Sequence, residues 1–145
     1  MINQLVITTT KCRITLLEPN LLENFVLDYC VIEVEDLLEA KKINQEITKG
    51  QPYAAILTFG KMTEVTKEAR EQIASLQHKQ NVVAKAILVN NIGHRLLGNF
   101  YLTVNKPFIK TRIFSNREMA LKWLRSQLNE HNKVNSNKEL STASY

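Results

Sequence analysis

The sequence predicts an α/β domain with a largely parallel sheet, and three observations carry that reading. Two nearly unbroken apolar runs, YAAILTF at 53–59 and VVAKAILV at 82–89, have the composition of strands covered on both faces. Segments of helical period separate and follow them, so strands and helices alternate along most of the chain. Ahead of these runs lie short β-branched segments joined by turn residues, which predict an antiparallel hairpin at one edge of the sheet.

In chain order, QLVITT at 4–9 and CRITLL at 12–17 are rich in β-branched and aliphatic residues and read as strands. EPN at 18–20 reads as a turn, and LLENFVLD is the returning strand. The period then changes. Leu37, Ala40, Ile43 and Ile47 mark one face of a helix over 36–48. Glu33, Glu35 and Asp36 favour its N-terminus through the helix dipole, and Gly50 with Pro52 ends it. After the strand at 53–59, Thr66 is an N-cap for a second helix whose inner side is Val65, Ala69, Ile73 and Leu76. Asn90 and Asn91 offer caps for a third. KTRIF is the last strand, and SNREMALKWL opens a helix with Ser115 at N-cap and Glu118 at N3, a capping box. Its expected buried face is Met119, Ala120, Trp123, Leu124 and Leu128. The domain is therefore 1–128, and the polar tail over 129–145 is expected to be disordered.

A hydrophobic content of 44% and a charged content of 23% are ordinary for a globular chain with a core of its own. No apolar run approaches the roughly 20 residues of a membrane span, and MINQLVITTTKCR lacks the features of a signal peptide. The expected location is the cytoplasm, where Cys12 and Cys30 would be reduced core thiols. The net charge of +5 is uneven: residues 85–128 carry eight Lys/Arg against one carboxylate, Glu118. That half can attract acidic partners or phosphates. It lacks the interleaved aromatics of a nucleic-acid face, so nucleic acid is not expected.

Catalytic signatures are missing. Four glycines allow no Gly-rich phosphate cradle, and Gly93 and Gly98 fall inside a helix. His78, His94 and His131 form no metal-ligand pair, and there is no GxSxG elbow. No cofactor or metal is expected. The third helix, in LVNNIGHRLLGNFYLTVNKP, is the segment of interest. At 100° per residue, Ile92, Leu96, Leu97, Phe100, Tyr101 and Val104 share an arc expected to be buried. His94, Arg95, Gly98, Leu102 and Asn105 then face outward, as plain solvated surface or as a contact patch for a partner or anion. A catalytic pair at His94 and Arg95 would need a third orienting group that the sequence does not offer. Asn90, Asn91 and the free N–H groups beside them could hold a small anion.

DLLEAKKI, ILTFGKMTEVTKEARE, GHRLLGNFYLTVNKP and RIFSNREMALKWL resemble small bacterial proteins of unknown function. These are related to STAS domains (sulfate transporter and anti-sigma factor antagonist) and called anti-anti-sigma-factor-like. The resemblance covers roughly residues 10–128. It implies a STAS-like α/β domain with a mixed sheet and about four helices. It also implies a non-enzymatic module that binds protein partners, in some relatives switched by phosphorylation at the helix after the central strand. A more distant kinship with CRAL-TRIO lipid-transfer folds is also implied. The family's Asp-Ser-Ser-Gly-like segment falls near Thr66, Lys67, Glu68 and Ala69, where Lys67 and Glu68 cannot accept phosphate. The sequence departs from the switch there.

The expectation is thus a cytoplasmic interaction module whose partner is another protein or a second copy. Its contact residues would be Lys61, Thr63, Thr66, Lys67, Arg70, His94, Arg95 and Leu102. The alternative is a carrier of a lipid or anionic metabolite, requiring an apolar pocket of about 300 Å³ or more. An enzyme would require distant groups such as Asp28, His94 and Asn99 to converge.

Overall fold

The structure is a computed structural model that describes residues 4–76, 81–107 and 109–143. His78 and the Leu76 side chain lie outside the described residues. Strands β1 (Val6–Thr8), β2 (Cys12–Glu18) and β3 (Leu21–Val26) form an antiparallel meander, turned between β2 and β3 at Asn20, whose φ is 64°. From β3 the sheet continues in parallel through β5 (Tyr53–Phe59), β7 (Val82–Leu88) and β8 (Lys110–Phe114). The six-stranded order is β1-β2-β3-β5-β7-β8. Two short strands, β4 (Val31–Ile32) and β6 (Glu64–Val65), pair in parallel beside it. The α/β class, the mixed sheet and the antiparallel edge are as the sequence predicts.

Helices α1 (Val34–Ile47), α2 (Lys67–Leu76) and α3 (Ile92–Phe100) connect the parallel strands and cover one face of the sheet. The other face carries α4 (Arg117–Ala143). Strand alternation sets both faces. Toward α4 the sheet presents Leu21, Ala54, Ile56, Ala84 and Ala86, all fully buried with Ala120 and Leu124. The alanines let α4 approach closely. Toward α1–α3 the cross-strand row reads Leu22, Ala55, Lys85, Thr111. That row has less apolar bulk and carries a charge, so the helical layer above it is packed less fully.

Local chemistry sets the helix ends. The Glu33 N–H donates to Asp36 Oδ2 at 2.8 Å, closing the start of α1. Thr66 Oγ1 accepts the Ala69 N–H at 3.1 Å and caps α2. Asn91 Oδ1 accepts the His94 N–H at 2.8 Å and caps α3. For α4 the cap is Asn116, whose Oδ1 accepts the Met119 N–H at 3.0 Å, one residue beyond the expected Ser115. Ala120, Leu124 and Leu128 are buried as expected, but Met119 is 62% exposed and Leu121 joins the core in its place.

The tail also differs from expectation. Beyond Leu128 the chain continues as helix to Ala143. Residues 132–137 are all exposed. A helix already nucleated over 117–128 extends at one hydrogen bond per added residue, which needs no apolar face.

Candidate functional site

Except at Tyr101, which is buried as expected, the third helix is turned the other way from its apolar arc. Ile92 is 77% exposed, Leu96 64%, Phe100 47% and Val104 58%, a stripe at four-residue spacing that faces solvent. The inner side is His94, Gly98, Tyr101, Leu102 and Asn105, with Gly98 and Tyr101 buried. His94 and Leu102, expected outward, are thus half-buried, while Arg95 is exposed as expected. The reason is close approach. A Cβ on Gly98 would lie 2.8 Å from Ile113 Cδ1, so the helix rests on β8 by its glycine. The His94 ring packs on Phe59 with centroids 5.6 Å apart. Past Phe100 the helix widens into a π-helical turn over Tyr101–Asn105, closed by Lys106 in the left-handed region at φ 48°.

Beneath this inner stripe lies an apolar cleft. Its floor includes Leu57, Lys85 and Ile87 of the sheet, its walls Arg70 and Ile73 of α2 and His94 and Leu97 of α3. Its free volume is about 80 Å³. A second cavity of about 90 Å³ under α1 shares Leu57, Ile73 and Lys85 with it and is also lined by Lys41. Neither reaches the roughly 300 Å³ expected of a carrier of a lipid or an anionic metabolite.

Lys85 has no hydrogen-bond or ion-pair partner among the described residues. Burial, with the charge of Lys41 adding to it, pushes its ammonium down to about 8. Arg70 Nη1 donates to the Val65 carbonyl at 2.7 Å, but its Nε is enclosed without a partner among the described residues. His94 Nδ1 and Asn105 Oδ1 are in the same position. Buried polar atoms are normally satisfied, so three orphans on or beside one cleft call for an explanation. The carboxylates nearby do not supply one. Glu64 is exposed at the mouth, and Asp36 in the second cavity is already paired with Lys11 at 2.8 Å.

The other expected contact residues are scattered around these features. Lys61 and Lys67 are exposed, and Thr63 and Thr66 are half-buried. The Arg70 guanidinium lies 5.8 Å from the Phe100 ring centroid, linking α2 to the α3 stripe. The Asn90 side chain donates to the Phe59 carbonyl at 3.3 Å, and that of Asn91 is engaged as a cap. Asp28 accepts the Lys61 N–H at 2.8 Å, while Asn99 is exposed. Cys12 and Cys30 are free thiols, with burial pushing the Cys12 thiol up to about 11. Among the described residues no group of three His, Cys, Asp or Glu could hold a metal, and no helix is long and apolar enough to cross a membrane.

A family model described as "Domain of unknown function (DUF7793)" matches residues 21–128. The chain belongs to the DUF7793 family. No curated protein matches it. Among solved structures, an uncharacterised DUF3478-family protein from Shewanella loihica PV-4, with a SpoIIAA-like fold, is similar at a TM-score of 0.50 and 12% identity. The alignment covers 84% of this chain and 92% of that one, and at such identity it shows the fold alone. The DUF7793 match starts at Leu21 and ends at Leu128, so β1 and β2 precede it although they pair in the same sheet.

Proposed function

We propose that this DUF7793 chain is a non-catalytic docking module, STAS-like in function as in fold, whose α3 receives an acidic amphipathic segment of another protein. The observation that carries this reading is the outward stripe of Ile92, Leu96, Phe100 and Val104. Four large apolar side chains in a row on one helix form a contiguous patch of the kind that marks an interaction surface. Covering them supplies on the order of 1–2 kcal/mol per side chain.

Charge selects the partner. From residue 72 to residue 117 the sequence contains no carboxylate, and Arg95 and Lys106 flank the stripe as exposed cations. An acidic rim on the partner complements that field and steers association. The exposed Lys61 and Lys67, near the start of α2, extend it. Phosphorylation has no part in this reading, because Lys67 and Glu68 stand at the switch positions and the Thr66 hydroxyl serves as an N-cap.

The test is a photo-crosslinking residue placed at Leu96 in cells, with the same residue at Lys122 on α4 as control. The expected adduct at position 96 is one protein joined through a carboxylate-rich peptide, lost in Arg95→Glu. Identical adducts at both positions, or an adduct of the chain with itself, would overturn the reading.

A further inference from the structure

The cleft beneath α3 plays no part in docking on the helix's outer face, and its chemistry has a use of its own. We propose that it binds a small organic monocarboxylate with an apolar body, the carboxylate on Lys85 and the body among Leu57, Ile73, Ile87 and Leu97. This goes beyond the docking reading and does not depend on it.

Four observations support the assignment. The interior holds cations without matching anions: Lys85 faces both adjoining cavities, Lys41 lines the second and Arg70 the first. The carboxylates that line the two spaces are Glu64, which is exposed, and Asp36, which is committed to Lys11 and the Glu33 N–H. An unpaired interior ammonium is costly to keep and is relieved by a bound anion. Next, the lining around Lys85 is mostly aliphatic and aromatic, which suits an apolar body and disfavours a bare phosphate. Size is the third point. One water needs at least 10–15 Å³ of such space, so about 80 Å³ admits a ligand of roughly six to ten non-hydrogen atoms once neighbouring space is shared. Finally, Arg70 and His94 line the cleft, and each has a buried nitrogen, Nε and Nδ1, without a partner among the described residues.

The experiment is an NMR titration of the isolated chain, with methyl groups of Leu57, Ile73, Ile87 and Leu97 as reporters. The probes are benzoate, hexanoate and isovalerate, with benzamide and inorganic phosphate for comparison. At least one carboxylate is expected to give saturable shifts at those methyls with a millimolar or tighter Kd. Benzamide and phosphate are expected to bind at least tenfold more weakly. Lys85→Met should weaken the carboxylate at least tenfold while its spectrum stays folded. The wild-type comparison of benzoate with benzamide needs no variant, so it decides the matter if Lys85→Met fails to fold. No saturable shift with any of the three carboxylates, equal binding of benzamide, or stronger binding of phosphate would overturn the proposal. The partner is absent from this titration, so its failure leaves the docking reading to its own test.

Discussion

Arg117 holds Glu23 at two points, Nη2 to Oε1 at 2.7 Å and Nη1 to Oε2 at 3.0 Å. Thr58 Oγ1 donates to the same Oε2 at 2.7 Å. The pair ties the first turn of α4 to the middle of β3 across the sheet face that α4 covers. Its two ends are unequally buried, with the Glu23 side chain 17% exposed and that of Arg117 41%. Removing the cation therefore strands a largely buried carboxylate, whereas removing the anion leaves a guanidinium that reaches water. Arg117→Met is expected to cost about 1–3 kcal/mol in urea unfolding, and Glu23→Gln less. Equal costs would mean that the burial difference has no energetic weight.

The same pair makes stability sensitive to acid. Burial alone would push the Glu23 carboxyl up, but the hydrogen bonds from Arg117 and Thr58 outweigh it and hold it below the ordinary glutamate value. A carboxyl lowered in the folded state contributes stability above its unfolded pKa and loses it as pH falls through the folded one. The difference in Tm between wild type and Arg117→Met should therefore narrow steadily from pH 6 toward pH 3. A constant difference would assign the cost of the substitution to lost packing.

Strands β5 and β7 were legible because a continuous apolar run between turn residues has few other uses. The Thr66 cap was legible for a similar local reason. The α3 face was not. Periodicity reports where the apolar side lies, and burial is only the commonest reason for an apolar side. Gly98 was the competing signal, since a glycine inside a helix marks a close approach of some kind, here to Ile113 of the chain itself. Lys85 was visible too, as one charge within VVAKAILV. Its meaning depends on which residues lie across from it, and cross-strand register is not written in local sequence.

Gly60 should tolerate no side chain. A Cβ there would run into Asp28 Oδ1 and lie 2.8 Å from the Asp28 backbone nitrogen. The loop cannot shift easily, because the Gly60 N–H donates to the Val26 carbonyl and the Lys61 N–H to Asp28 Oδ1, each at 2.8 Å. Gly60→Ala is expected to cost on the order of 2–4 kcal/mol. Gly98→Ala meets only side-chain atoms, Ile113 Cδ1 at 2.8 Å and Cγ1 at 3.3 Å, which can shift where the Asp28 backbone cannot. It also gains helix propensity, so its loss should be smaller, within about 1–2 kcal/mol of wild type. Thermal melts of the two variants give the comparison, and a larger loss at Gly98 would contradict it.

Ending the chain at residue 130 should change stability little. Among the residues of α4 whose side chains are described, Leu128 is the last buried one, and residues 132–137 are exposed around the whole helix. Local helical hydrogen bonds in water add little to global stability. The shortened chain is expected to lose helical circular dichroism while its urea midpoint stays within error. A fall in the midpoint would show that the tail packs on something.

Lys85 should be worth more to ligand binding than to folding. Its ammonium is pushed down from 10.5 to about 8, so below pH 8 both folded and unfolded states carry the charge and the folded state bears the full cost of burying it. Between pH 8 and 10.5 the folded state releases the proton first, and stability attributable to this residue rises with pH. Above 10.5 the cost is gone. Lys85→Met, of similar length and without the charge, is therefore expected to be more stable than wild type at pH 7, by on the order of 1–3 kcal/mol. That advantage should shrink as pH rises toward 10.5. The Cys12 thiol and the Tyr53 hydroxyl, both raised by burial, act in the opposite direction over an overlapping range. Both are common to the two proteins and cancel in the difference between their unfolding free energies. That difference, measured by urea unfolding at pH 7, 8.5 and 10, isolates the lysine. A Met variant less stable than wild type at pH 7 would mean that Lys85 is already paired in the folded chain.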